Sequence, residues 1–148
     1  MKNWIKVIFA LNNRLDALTY SIDREVEGMS ALLTVPTMEL FDSIIKLNDK
    51  KVRIINLRVL HDKMKETLSP REYYIIARSS HGASFSEIAE GLGLSKGHVY
   101  RLYQRTIQKL TRVLSSYGYT EGKFFDDYND IVLIARMYKK LARTIEAA

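Results

Sequence analysis

The chain contains no cysteine. That excludes a disulfide scaffold, a thiolate metal site and a thiol nucleophile, and makes the cytoplasm the natural compartment. Proline is nearly as scarce, with only Pro36 and Pro70. No stretch alternates apolar and polar residues in the manner of a strand, so helix is expected throughout. Long hydrophobic runs are missing too: the run from Val7 to Leu11 is far too short for a signal peptide core or a membrane span. No targeting segment and no membrane partner are expected. Catalytic groupings are equally thin. His61, His81 and His98 lie 20 and 17 residues apart, without the close spacing that fixes a metal. Asp126 and Asp127 are adjacent, so on a helix they diverge by about 100° instead of forming a working acid pair. Ser95 reads as a helix cap, and Gly91-Leu92-Gly93 lacks the preceding strand of a phosphate loop. Neither enzyme activity, nor a metal, nor a cofactor is expected.

What is present is an ordinary globular composition, 148 residues with 47% hydrophobic and 27% charged side chains, enough to bury one good core or two small ones. The net charge of +6 is unevenly placed. Residues 1–69 hold 11 Lys+Arg against 9 Asp+Glu, residues 70–115 hold 7 against 3, and residues 116–148 hold 5 against 5. A basic excess confined to the middle of a chain suits a polyanionic partner.

That middle segment also carries the clearest helix punctuation. Ser69-Pro70-Arg71-Glu72 places a capping serine, a proline at the first helical position and a glutamate three residues on, so a helix is expected from Pro70. Ser84-Phe85-Ser86-Glu87 repeats the serine-to-glutamate spacing, opening a second helix from about Phe85 to Leu92. Gly91 and Gly93 are read as its stop. Ser95 then caps a third helix running to about Leu114. Two helices joined by a three-residue turn form a helix-turn-helix, with Ala89 small enough for the crossing, Gly93 free to take positive φ, and Val99 locking the wedge with Ile88, Leu94 and Leu102.

Projected at 100° per residue, the third helix turns Val99, Leu102, Tyr103, Thr106, Leu110 and Val113 inward. The opposite face carries Gly97, His98, Arg101, Gln104, Arg105, Gln108 and Arg112. It has no acid. Arginine and glutamine can hydrogen-bond base edges in a major groove, while Lys96 and the serine hydroxyls suit phosphates.

Residues 68–110, LSPREYYIIARSSHGASFSEIAEGLGLSKGHVYRLYQRTIQKL, resemble region four of bacterial sigma factors, the domain that recognises the −35 promoter element. The likeness rests on the L-S-P-R-E opening, Glu87-Ile88-Ala89, Leu92-Gly93, Ser95, Val99, and Arg105 with Lys109-Leu110. It implies base contacts from the start of the recognition helix, at Lys96, Gly97, Tyr100 and Arg101, to which the outward face adds Gln104. It implies phosphate contacts near Ser84, Ser86 and Ser95, to which His98 and Arg105 are added. Where sigma factors often carry an acid that accepts from cytosine this chain has Gly97, so the −35 sequence itself is not implied as target.

The flanks depart from a complete sigma factor. Trp4, Phe9, Tyr20 and Phe41 are too scattered for a strand-melting region. Instead Leu11, Leu15, Leu18, Ile22 and Met29 recur at helical spacing, and beyond a breaker at Thr34-Val35-Pro36 follow Phe41, Ile44, Ile45, Val52, Ile55 and Val59. Two helices of 25–30 residues are expected, folded back as a hairpin or paired between two chains as a homodimer. The tail from Phe124 to Ala148 reads as one amphipathic helix with Phe125, Tyr128, Val132, Ala135, Tyr138, Leu141, Ala142 and Ile145 on its apolar face.

The expected fold is therefore all-α: a helical hairpin or coiled coil over 1–67, a sigma region 4-like helix-turn-helix domain over 68–115, and a C-terminal helical extension over 116–148. Its layout is similar to that of small transcriptional regulators of phages and mobile elements. Double-stranded DNA is the expected partner, read by a helix at about 95–112, with RNA polymerase as a further one. A small terminase-like packaging protein, or a sigma-like protein that grips RNA polymerase with little DNA affinity, are the alternatives.

Overall fold

A computed structural model of the chain describes residues 3–31 and 38–147, with side-chain surroundings for residues 4–31 and 38–140. Its elements are α1 (Asn3–Leu11), a single 3-10 turn (Asn12–Arg14), α2 (Leu15–Ala31), α3 (Met38–Glu66), α4 (Pro70–Ser80), α5 (Phe85–Leu92), α6 (Lys96–Ser116), α7 (Glu121–Tyr128) and α8 (Val132–Ala147). The all-α expectation holds, with no strand among the described residues. The breaker at Thr34-Val35-Pro36 lies outside them, as do the surroundings of Leu141, Ala142 and Ile145 in the expected tail face.

The centre of the molecule is α1. Trp4, Ile5, Val7, Ile8, Phe9 and Leu11 are all buried, because from Trp4 to Leu11 the helix is apolar at every position but Lys6 and has no broad solvent face to offer. Its two ends are gripped by rings from distant parts of the chain: Trp4 packs 5.8 Å from Phe124 of α7, and Phe9 lies 5.1 Å from His61 of α3 and 6.1 Å from Tyr73 of α4. The His61 ring is buried with no partner on Nε2, and burial holds its pKa below the usual value, so it sits there as a neutral aromatic. The sequence expectation of two long helices across 1–67 is corrected here. The 3-10 turn at Asn12–Arg14 detaches α1 from α2 and sends it into the core.

The hairpin itself forms between α2 and α3. Leu15 and Ile22, with Leu18 and Val26, line the inner side of α2. Ion pairs from Asp16 to Arg58 at 2.8 Å and from Asp23 to Lys51 at 2.6 Å fix the antiparallel register. The inward stripe of α3 is not the apolar row singled out in the sequence. Ile54, Leu57, His61 and Met64 are buried with Leu47 partly so, whereas Phe41, Ile45, Val52, Ile55 and Val59 are exposed. A 29-residue helix carries more than one apolar row, and periodicity alone does not say which row faces inward.

The tail is likewise corrected from one helix to two. Thr120 caps α7, its hydroxyl accepting from Lys123 N–H at 3.3 Å, and the chain turns at Asn129-Asp130 before α8. That turn is held from α3: the Arg53 guanidinium donates to both carboxylate oxygens of Asp130, at 2.7 and 2.9 Å, and to the Asp127 carbonyl. Tyr128 Oη in return donates to the Arg53 carbonyl at 2.8 Å. Phe124, Tyr128, Ile131 and Ile134 are buried. Among the described residues no helix is long and apolar enough to cross a membrane.

Candidate nucleic-acid interface

Local chemistry sets the start of each helix that builds the interface. At α4, Ser69 Oγ accepts from Glu72 N–H at 3.2 Å while the Glu72 carboxylate accepts from Ser69 N–H at 2.9 Å, the reciprocal box the sequence announces. The same Glu72 oxygen accepts from Lys109 of α6 at 3.2 Å, which ties the recognition helix to the start of α4. At α5, Ser84 Oγ accepts from Glu87 N–H at 3.1 Å. Only the serine half of the expected box is formed there. At α6, Ser95 Oγ accepts from His98 N–H at 3.2 Å.

Between α5 and α6 the chain reverses at Gly93, whose φ of 67° is the left-handed conformation that glycine takes without a Cβ penalty. Leu94 N–H closes the turn on the Ala89 carbonyl at 3.0 Å. Beneath it Ile88, Ala89 and Val99 are buried, while Leu94 and Leu102 of the expected wedge are half-buried. Gly91 plays a different part from the stop read in the sequence. It lies inside α5, and a Cβ there would come within 2.6 Å of the Tyr74 hydroxyl. The missing side chain is the seat of Tyr74, a close approach that only the fold reveals.

The inward face of α6 comprises Val99, Tyr103, Thr106, Ile107, Leu110 and Leu114. Ile107 and Leu114 were missed by the projection, and Leu102 and Val113 are only half-buried, because α1 and α3 also pack on this helix and shift the buried arc. Tyr103 is a neutral phenol, its pKa pushed up by burial, hydrogen-bonded to Ser79 of α4. Over its ring, with the ammonium 5.0 Å from the centroid, sits Lys6 of α1. Lys6 is buried, and desolvation lowers its pKa to about 8.

All but one of the expected contact residues are exposed. Lys96, Gly97, Tyr100, Arg101 and Gln104 are exposed, as are Ser84, Ser86, Ser95 and Arg105, while His98 is half-buried. Across the 21 residues of α6 there is no acid. Two of these side chains are already arranged. Tyr100 rests edge-on against Phe85 of α5, with 5.6 Å between ring centroids, and accepts from Gln104 Nε2 at 2.7 Å. Above Gly97 the space is open except for the tip of Arg101, 4.0 Å from where a Cβ would stand. The two capping serines use an oxygen lone pair on the helix, which leaves each O–H to donate to a phosphate.

A basic cavity of about 420 Å³ opens beside the α4–α5 turn, lined by Arg14, His81, Arg136 and Lys140 among others and by no acid. Arg14, His81 and Arg136 come from the 3-10 turn, the end of α4 and α8, segments far apart in the sequence that are brought together where α4 and α8 both pack on α1.

Two capped helices crossing at a small residue and joined by a left-handed glycine, the second with an exposed acid-free face, define a helix-turn-helix of the DNA-binding class. Residues 45–112 match the family Sigma-70, region 4. The chain thus carries a sigma region 4-like helix-turn-helix domain, whose match opens within α3 and closes near the end of α6. No curated protein and no solved structure matches the chain.

Proposed function

We propose that this chain is a sequence-specific regulator of transcription that binds double-stranded DNA and reads the major groove with α6. The observation that carries this reading is the outward face of α6, where Lys96, Arg101, Gln104 and Arg105 stand exposed and no acid interrupts them. Arg101 and Gln104 have the donors and acceptors for base edges, joined by Lys96 and by Tyr100, whose hydroxyl is held at the surface by Gln104. Gly97 lets the backbone of the first turn approach the groove floor. Ser84, Ser86, Ser95, His98 and Arg105 take phosphates and set the register. Arg14, His81 and Arg136, around the basic cavity, extend that backbone contact past the α4–α5 turn. The protein works in the cytoplasm, where its DNA is. A helical hairpin ahead of a sigma-like domain supports the phage or mobile-element type of regulator.

Contact with RNA polymerase is the second reading, favoured by the sigma region 4 match itself. A terminase-like packaging role has no such support, since there the DNA-binding domain is expected ahead of the long helices.

Selection of preferred duplexes from a random pool tests the proposal. A preferred site should emerge, with affinity falling steeply with salt as phosphate contacts release counterions. Arg101→Ala should cost about 1–3 kcal/mol of discrimination at one base pair. Absence of binding to any duplex at low salt would sink the DNA reading. Binding whose sequence preference survives Arg101→Ala would move the reading off this face.

A further inference from the structure

Along α3 the residues Met38, Phe41, Ile45, Val52, Ile55 and Val59 are spaced three, four, seven, three and four apart, with Asn48 filling the one vacant step. That is a continuous heptad seam of alternating a and d positions. It is not the seam that packs within the chain. Ile54 stands two residues, or about 200° of turn, from Val52, so the buried row against α1 and α2 lies on the far side of the helix. All six apolar side chains of the outer row are between 44% and 77% exposed. A contiguous apolar row of this length marks an interaction surface.

We infer that this outer row of α3 is where a second copy of the same chain docks, in a parallel two-stranded pairing with Asn48 in register with its counterpart. The residue types favour that occupant. The a positions after Met38 are Ile45, Val52 and Val59, all β-branched, the choice that favours two parallel strands. A lone asparagine in an otherwise apolar seam is satisfied best by itself, because its amide offers both donor and acceptor to an identical amide at the same level. An antiparallel pairing sets Asn48 against Val52 and leaves the amide unmatched in an apolar layer. Charge does not oppose the approach. Lys51 and Arg58, which flank the seam, are already neutralised by Asp23 and Asp16 of α2.

The size is sufficient. Covering the exposed parts of the six side chains removes roughly 550 Å² per chain from water, or about 1,100 Å² per pair, and the stems of flanking residues bring this into the range of a stable interface. The row spans 22 residues, about 33 Å of helix, three heptads with no interruption except Asn48. This pairing stands apart from the DNA reading, and its test uses no DNA.

Sedimentation equilibrium of the full chain at micromolar concentration should show a dimer. The double variant Val52→Glu, Ile55→Glu should weaken it by about 100-fold or more, since it places charges in the seam. Its helical circular dichroism should be unchanged, because both positions face solvent within one chain. The absence of cysteine supplies the test of direction. Val59→Cys should cross-link to its own copy under mild oxidation, as only a parallel pairing brings residue 59 to residue 59. A wild-type monomer throughout, or a dimer that survives the double variant, overturns the pairing. Cross-linking of Phe41→Cys chains to Val59→Cys chains, without Val59→Cys joining itself, overturns the parallel register. A monomer whose α3 row instead retains RNA polymerase gives the surface to a different protein and likewise overturns the proposal.

Discussion

Helices α3 and α6 are built on the same plan and finished in opposite ways. Each buries one apolar row and shows another face to solvent, but α6 shows arginine, glutamine and lysine whereas α3 shows isoleucine, valine and phenylalanine. A polar face is stable in water whether or not a partner arrives, so the exposed side of α6 is free to be chosen for recognition alone. An apolar row gains free energy only when covered. One helix therefore advertises a ligand through specificity of hydrogen bonding and the other through unburied area.

Four substitutions sharpen this contrast, beginning with the largest effect. Leu110→Ala, on the buried face of α6, should lower unfolding stability by about 2–5 kcal/mol in denaturant titrations. Val52→Ala at concentrations that keep the chain monomeric should change it by less than about 0.5 kcal/mol. A comparable loss at Val52 in the monomer would mean that its row is core after all.

Lys6→Met is next, acting on the charge buried against α6. Between its lowered folded pKa of about 8 and the ordinary 10.5, the unfolded chain binds more protons at this site than the folded one. Stability of the wild type should therefore rise with pH through that window, and the burial penalty is fully present below it. The shift corresponds to about 3 kcal/mol, so Lys6→Met should stabilise the protein by an amount of that order at pH 7 and flatten the slope between pH 8 and 10. Matched thermal melts of the two proteins at several pH values would show it. A parallel pair of curves would place the lysine in water.

A smaller effect, of opposite sign to that of Leu110→Ala, is expected at Gly97. Nothing but the Arg101 tip approaches its missing Cβ, so Gly97→Ala should raise stability by about 0.5–1 kcal/mol through helix propensity. Duplex affinity should fall if the backbone there closes on the groove. Unaltered affinity would show that the first turn stands clear of the bases.

The helix-turn-helix was legible because its signals are local. Ser69, Ser84 and Ser95 cap helices three residues from the N–H groups that donate to them, and Gly93 turns the chain beside them, so a short window contains both cause and effect. α1 was not legible in this way. Apart from Asn3 and Lys6 its nine residues are apolar, which leaves no clear inner face to read, and the groups that bury it come from α3, α4, α6, α7 and α8. The break at Asn129-Asp130 is equally remote in origin, fixed by Arg53 some 77 residues earlier. The heptad in α3 was visible as a pattern, but its facing was decided by which row Leu15 and Ile22 of α2 could reach. The outward residues of α6 were found because polarity without acids needs no tertiary context to be noticed. The basic cavity was missed because its arginines belong to segments more than 100 residues apart.

The position of α1 in the core has a consequence for biosynthesis. Of the helices that surround it, the last to be made is α8, so its apolar surface is synthesised more than 120 residues before that cover exists. At about 5–20 residues per second, that interval is roughly 6 to 25 s. Many chains complete their earlier parts first. Here α1 waits for α8 to complete its cover, and until then the Trp4–Leu11 segment of the nascent chain is enclosed only in part, by the helices made between the two.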